Sequence, residues 1–169
     1  MVGQTLKRTK VSKKSQEPKP QLLNLDLDTL AIEVESTGVY TKHGCRPFFL
    51  STCNKDGDNI SFEFDVDPFT RKVQYNKKDL VKFRDLVLSY DHLTFHNALF
   101  DIEQVRSLPY VGSSIMEHIY KLLAKGYVDD TMLSSHLIDS KELKGLKEQA
   151  MIHCGITDDD EKALDDMVK

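Results

Sequence analysis

Apolar and polar positions alternate with period two along Leu30–Glu35 (LAIEVE), the mark of a β-strand with one buried face. Leu30, Ile32 and Val34 fall on one side. Ala31, Glu33 and Glu35 fall on the other, which puts two carboxylates about 7 Å apart on one strand face. Ser36-Thr37-Gly38 then ends the strand in a turn. A second strand is predicted over 47–52 (PFFLST) and a third over 59–66, where Ile60, Phe62, Phe64 and Val66 share a face. Between them, Asn54-Lys55-Asp56-Gly57 carries the Asp-Gly signal of a hairpin. These three strands form an antiparallel meander that starts from the glutamate strand.

The period then lengthens. Leu80, Phe83, Leu86, Val87 and Tyr90 recur at helical spacing. HLTFHN (92–97) reads as a short strand, and ALFDIEQV (98–105) as a helix with Asn97 placed to cap it. A second amphipathic helix spans 114–125 and closes at Gly126. A short strand at 127–129 leads to Asp130, placed to cap the helix TMLSSHLI. A further helix over 143–154 stops at Gly155, and DDDEKALDDMVK begins another. Antiparallel strands followed by alternating helix and strand predict an α/β domain, a mixed sheet with helices packed on it.

Charge divides the chain. Residues 1–20 hold six lysines and arginines against Glu17, a net +5 in a protein whose total is −4, so the rest carries −9. With Pro18, Pro20 and little apolar periodicity, 1–20 reads as a disordered basic arm, suited to phosphate contacts or to service as a solubilising tail. Residues 21–169 form the domain. Hydrophobic content of 40% and charged content of 30% describe an ordinary globular protein, with no apolar run of membrane-spanning length and no signal peptide. Cys45, Cys53 and Cys154 lack the spacing of a zinc site or a disulfide framework, which fits a reducing cytoplasm, that of a bacterial or phage-infected cell.

An E-x-E on one strand is explained well enough by a solvated face. Asp101 is less expected, because it follows Leu99 and Phe100 near the start of a helix that must pack on the sheet, although the helix dipole favours an acid there. Taken in order, E-x-E-S-T-G, the junction HNALFD and the segment DDTMLSSHLIDSKELKGLKEQA resemble the proofreading 3′–5′ exonuclease domain of family A DNA polymerases. That domain belongs to the DEDD superfamily, with a ribonuclease H-like fold. The resemblance spans about residues 29–153 and aligns Glu33 and Glu35 with the first motif, D-x-E, and Asn97 to Asp101 with the second, N-x3-D, preceded by His96. It implies a ribonuclease H-like mixed sheet and hydrolysis of DNA 3′ ends by two-metal-ion catalysis. Glu33, Glu35 and Asp101 would hold two ions, Mg²⁺ or Mn²⁺, the cations that hard oxygen ligands select. It also implies that Ser36, Thr37, Val39, His96 and Asn97 contact the terminal nucleotide of a single-stranded DNA 3′ end, with Asp130 as a further candidate, and that a DNA polymerase domain is the partner.

Two departures qualify the resemblance. Glu33 replaces the first-motif aspartate and is one methylene longer, in a type of site whose geometry is held to about 0.5 Å. The third motif, Y-x3-D or H-x4-D, is not found at the position the resemblance gives it: His136 is followed five positions on by Lys141, and no tyrosine lies beyond Tyr127. Asp158–Asp160, Asp165 and Asp166 suit an exposed helix start, and His136 falls at a packing position of the family. The chain therefore reads as the front of a domain, a truncated or split gene product or a subunit completed by another chain. Two other readings stand beside the exonuclease: a catalytically impaired domain that binds single-stranded ends or supports a polymerase fold, and a DEDD ribonuclease acting on short RNA. His43, His92, His118 and His153 read as surface or core residues.

Overall fold

The alternating segment forms strand β1, Thr29–Ser36, with Leu30, Ile32 and Val34 buried. The computed structural model describes residues 28–141 and 145–155. The basic arm and the helix expected from 158 onward lie outside the described residues. β1 pairs antiparallel with β2 (Pro47–Asn54), and β2 with β3 (Asn59–Glu63). On its other side β1 pairs in parallel with β6 (His92–Phe95), and β6 with β7 (Val128–Asp130). The order β3-β2-β1-β6-β7 makes a five-stranded mixed sheet, antiparallel then parallel, consistent with a ribonuclease H-like fold.

Helices cover the sheet. α1 (Lys77–Leu88) is capped by the Asn76 side chain, which accepts from the Lys78 N–H at 2.9 Å. α2 (Ala98–Arg106) leaves β6, and α3 (Gly112–Lys125) ends at Gly126 in the left-handed conformation. Gly112 has a packing reason as well: a Cβ there would sit 2.5 Å from the Arg106 carbonyl oxygen, so only glycine permits the tight α2–α3 turn. Leu80, Phe83 and Val87 of α1 and Ile115, Ile119 and Leu122 of α3 pack with Leu30, Ile32 and Val34 in one core. The Phe62 and Phe83 rings meet edge to face, centroids 5.6 Å apart. α4 (Thr131–Ile138) and α5 (Leu146–Cys154) are joined by the Ser135 hydroxyl, which donates to Gln149 Oε1.

The structure corrects three details. The strand expected over 59–66 breaks after Glu63: Phe64 turns in to pack against Tyr75 at 5.0 Å, and β4 (Asp65–Val66) pairs with β5 (Val73–Gln74) in a separate ribbon. Ile60, expected to share the buried face, stays 46% exposed at the sheet edge. His136 is exposed rather than packed. Among the described residues no helix is long and apolar enough to cross a membrane, and the three cysteines are free.

Phe83 has no exposed surface and links α1 to β3. Phe83→Ala is expected to cost about 3–5 kcal/mol of stability. Urea denaturation checks this as a lowered midpoint with an unchanged slope.

Candidate active site

The parallel pairing of β1 and β6 is brief, Thr29–Ala31 against His92–Thr94. Beyond it the strands part at their carboxyl ends, the end at which open α/β sheets place their ligands. β1 runs on past this point, with Glu33 opposite Ser51 and Glu35 opposite Phe49 on the β2 side. Glu33 is half-buried, whereas Glu35 is exposed just before the register shift at Ser36. From the first turn of α2, Asp101 is brought beside them although Glu35 and Asp101 lie 66 positions apart.

Asp101 is only 1% exposed, and its Oδ2 has no hydrogen-bond partner. Burial, and then the charge of Glu33, push its pKa up to about 8; the Val34 N–H pulls the other way, and the charges of Asp130 and Glu35 add smaller upward pushes. Burial also raises Glu33, helped by Glu35 and opposed by His96. Three carboxylates thus repel one another at one sheet end. A proton held on Asp101 relieves that conflict, and a cation sharing the site would do the same.

Asp130 is treated in the opposite way. Its Oδ1 accepts from the N–H groups of Asn97 (3.1 Å), Met132 (3.0 Å) and Leu133 (3.2 Å), and its Oδ2 from that of Ala98 (2.9 Å). Burial works against its charge, but the four donors outweigh it and its pKa lies below the ordinary carboxylate range. One side chain therefore caps α4 and the start of α2 together. The expected capping of α2 by Asn97 is corrected here: Asn97 is left-handed (φ 72°, ψ 57°) and its side chain makes no cap bond. A capping side chain needs extended backbone to reach the first-turn N–H groups, and Asp130 supplies that function across the chain. Next to this junction His96 Nδ1 lies 2.9 Å from Thr131 Oγ1, whose single hydroxyl proton goes to the Phe95 carbonyl at 3.1 Å.

The turn after Glu35 is built by its own polar side chains. Ser36 Oγ donates to the Gly38 carbonyl at 2.6 Å, and Thr37 Oγ1 accepts from the Arg46 N–H at 3.0 Å. A Cβ on Gly38 would lie 2.6 Å from Cys45 Sγ, so glycine allows the close approach of the two loops. Val39 is 63% exposed, and its carbonyl accepts from the Nε2 of Gln104, a side chain with no exposed surface. Gln104 and Arg46 are residues that sequence reasoning missed. The available signal for Gln104 was an amide three positions after Asp101 on the buried side of the same helix.

The donor set is entirely oxygen, and the unpartnered Asp101 Oδ2 offers a lone pair to a hard cation, so the chemistry fits Mg²⁺ or Mn²⁺. Among the described residues, no three acidic, histidine or cysteine side chains are drawn tightly round a single point. Glu33 and Glu35, with three rotatable bonds each, would have to swing to close such a set.

No family model and no characterised protein matches the chain in sequence. Among solved structures it is similar to the family B DNA polymerase from the hyperthermophilic archaeon Pyrobaculum calidifontis, with a TM-score of 0.37 and 18% identity. That match covers 54% of this chain and 11% of the polymerase chain, a likeness too slight to bear on function.

The buried acid sets a pH dependence. With a folded-state value of about 8 against about 3.9 when unfolded, Asp101 keeps its proton in the folded protein over a window where the unfolded chain has lost it. Its contribution to stability is complete below about pH 4 and is lost as pH rises through about 8. In metal-free protein, Asp101→Asn should flatten the fall of the melting temperature between about pH 5 and about pH 8. Thermal denaturation in EDTA checks this; equal slopes for the two proteins would show that the acid is not held neutral.

Asp130 gives the opposite sign: its contribution is present above its unfolded pKa and is lost as pH falls through the lowered folded value. Asp130→Ala should cost about 1–4 kcal/mol, one N-cap's worth at each of two helices. Denaturation at neutral pH measures that loss.

Proposed function

We propose that the chain is a DEDD-type nuclease domain that removes nucleotides from the 3′ end of single-stranded DNA, of the proofreading kind associated with a DNA polymerase of family A. The observation that supports it is the buried, half-unsatisfied Asp101 carboxylate set against Glu33 and Glu35 where the parallel strands part. Structural acids in this protein look like Asp130, fully occupied by backbone donors. Asp101 has the contrary environment, which suits a metal ligand.

In this reading Glu35 and Asp101, with Glu33, hold two divalent ions. When bound, those ions neutralise the phosphate and lower the pKa of the attacking water. The protein's own groups do the rest. The exposed Val39, held by Gln104, offers an apolar surface to the terminal base. The turn at 36–38, stitched to Arg46, fixes where the strand end stops. His96 lies within electrostatic reach of Glu33 and favours the ionised form of that acid. The third-motif ligand would come from Asp158, which follows His153 at the H-x4-D spacing and lies outside the described residues, or from a further segment or a second chain.

A second reading keeps the same surface without chemistry, as a domain that binds single-stranded ends. It is favoured by the longer Glu33 and by the open spacing of the acidic groups. Incubation of a 5′-labelled oligonucleotide with Mg²⁺ or Mn²⁺, with EDTA as control, separates the two. Weak release of 3′ mononucleotides is expected, increased by Glu33→Asp. Asp101→Ala and Glu35→Ala should each lower it by more than about 100-fold, beyond what loss of a contact supporting a metal ligand costs. An RNA oligonucleotide of the same sequence tests the ribonuclease alternative. A protein that stays inert with aspartate at position 33, even when supplied with the completing segment, would leave the binding domain as the account.

A further inference from the structure

The β4–β5 ribbon, which the sequence resemblance leaves without a role, forms one wall of a cleft of about 800 Å³. The cleft is lined by Thr37, His43, Arg46, Arg71, Lys72 and Tyr75 among others, and no carboxylate lines it. In a chain with a net charge of −4 such a concentration of cations is unexpected. None of Arg46, Arg71 and Lys72 forms an ion pair among the described residues. Arg46 is held by its Nη1, which donates to the carbonyls of Thr41 (2.9 Å) and Cys45 (2.7 Å), so the guanidinium is fixed without being neutralised. Tyr75 is pinned by its hydroxyl donating to the Pro47 carbonyl at 2.8 Å.

The turn at the tip of the ribbon is rigid. Asp67 Oδ1 accepts from the N–H groups of Phe69 (3.0 Å) and Thr70 (2.6 Å), the Asp67 carbonyl accepts from the Arg71 N–H (2.8 Å), and the Asp67 N–H donates to the Lys72 carbonyl (2.9 Å). This lattice holds Phe69 with 93% of its surface exposed and sets Arg71 in the left-handed region at φ 56°, a conformation that a non-glycine residue keeps only when its surroundings demand it. Phe69 stands outside the cleft lining but on the same short turn, two residues before Arg71, so an exposed aromatic and two cations outside any ion pair share one ribbon tip, the groups that base stacking and phosphate attraction use.

The cleft adjoins the turn that follows Glu35. Thr37, two residues beyond Glu35, is bound to Arg46 by a pair of hydrogen bonds, Thr37 N–H to Arg46 carbonyl (2.9 Å) and Arg46 N–H to Thr37 Oγ1 (3.0 Å). Ser107 and Pro109, also in the lining, lie at the far end of α2 from Asp101, about 9 Å along the helix axis.

We infer that this cleft is a second binding site, for the phosphodiester backbone of a single-stranded nucleic acid, with Phe69 stacking on one of its bases. It rests on the proposed function in that the strand bound here is the one whose end reaches Glu35 and Asp101. Arg71 and Lys72 hold phosphates upstream of the cleavable bond, and Arg46 holds the phosphate nearest the turn.

Fluorescence anisotropy of the full chain in EDTA, with a labelled oligothymidylate of about ten nucleotides, tests the site without catalysis. The double variant Arg71→Ala/Lys72→Ala should bind more weakly and lower the slope of log affinity against log salt by about 1.4, two single-strand phosphate contacts. Phe69→Ala should weaken binding by about tenfold and leave the slope unchanged. Lys125→Ala, at the far end of α3, serves as the charge control and should change nothing. Equal effects of the double variant and Lys125→Ala would overturn the inference, as would full competition by thymidine monophosphate at equal concentration, which would indicate a mononucleotide pocket. Cleft-dependent binding without metal-dependent hydrolysis would sink the catalytic reading and leave this site standing. Hydrolysis with binding insensitive to all three substitutions would do the reverse.

Discussion

The three-residue parallel pairing between β1 and β6 is the constraint on which the site depends. Strands that pair over Thr29–Ala31 and His92–Thr94 and then diverge leave the end of β1 without a neighbour on that side. The first turn of α2 occupies the gap. α2 packs on β1 here, and Asp101 is buried against the Val34 backbone within reach of the charges of Glu33 and Glu35. A longer ladder would have left no room for the acid. A shorter one would not have aligned the helix with Glu33 and Glu35.

Two aspartates near this junction have opposite fates, and the contrast separates scaffold from chemistry. Asp130 is saturated with four backbone donors and holds two helices to the strand ends. Asp101, a few residues into one of those helices, is deprived of donors on one oxygen. The first is ionised and stabilises the fold by being so. The second resists ionisation, and its charge becomes favourable only when a cation is near. The organised junction thus bears the strain of the unsatisfied one, a distribution common where rigid elements present a reactive group.

Charge outside this junction is laid out with similar asymmetry. The sheet end is acidic, whereas Arg46, Arg71 and Lys72 face a cleft without acids that opens beside the same turn. Cations gathered in a cleft without acids make a local region of positive potential on a chain whose net charge is negative. Arg46 belongs to both regions, since its backbone fixes the turn after Glu35 while its side chain lines the cleft.

Period-two and period-3.6 patterns in the sequence were sufficient for the sheet and most helices, because burial of one face leaves a direct trace in residue order: Leu30, Ile32 and Val34 on β1, and Leu80, Phe83 and Val87 on α1. Of the candidate acids, Asp101 was out of character with its element, whereas Glu33 and Glu35 suit a solvated strand face and were singled out only by the order of motifs around them. The capping of α4 by Asp130 was equally local. What residue order does not carry is which backbone a side chain meets from elsewhere in the fold. Asn97 has the composition of a cap but a left-handed backbone, and its expected task passes to Asp130, thirty-three positions later. Phe64 continues the strand pattern and keeps a backbone bond to Phe48, yet regular pairing ends there and its ring packs on Tyr75. Gln104, Arg46 and the ribbon at 65–74 acquired their roles only when the chain had brought Val39, Thr37 and the loops around them into contact. Those contacts are long-range, their partners are backbone atoms common to every residue type, and they exist only once the tertiary structure has formed.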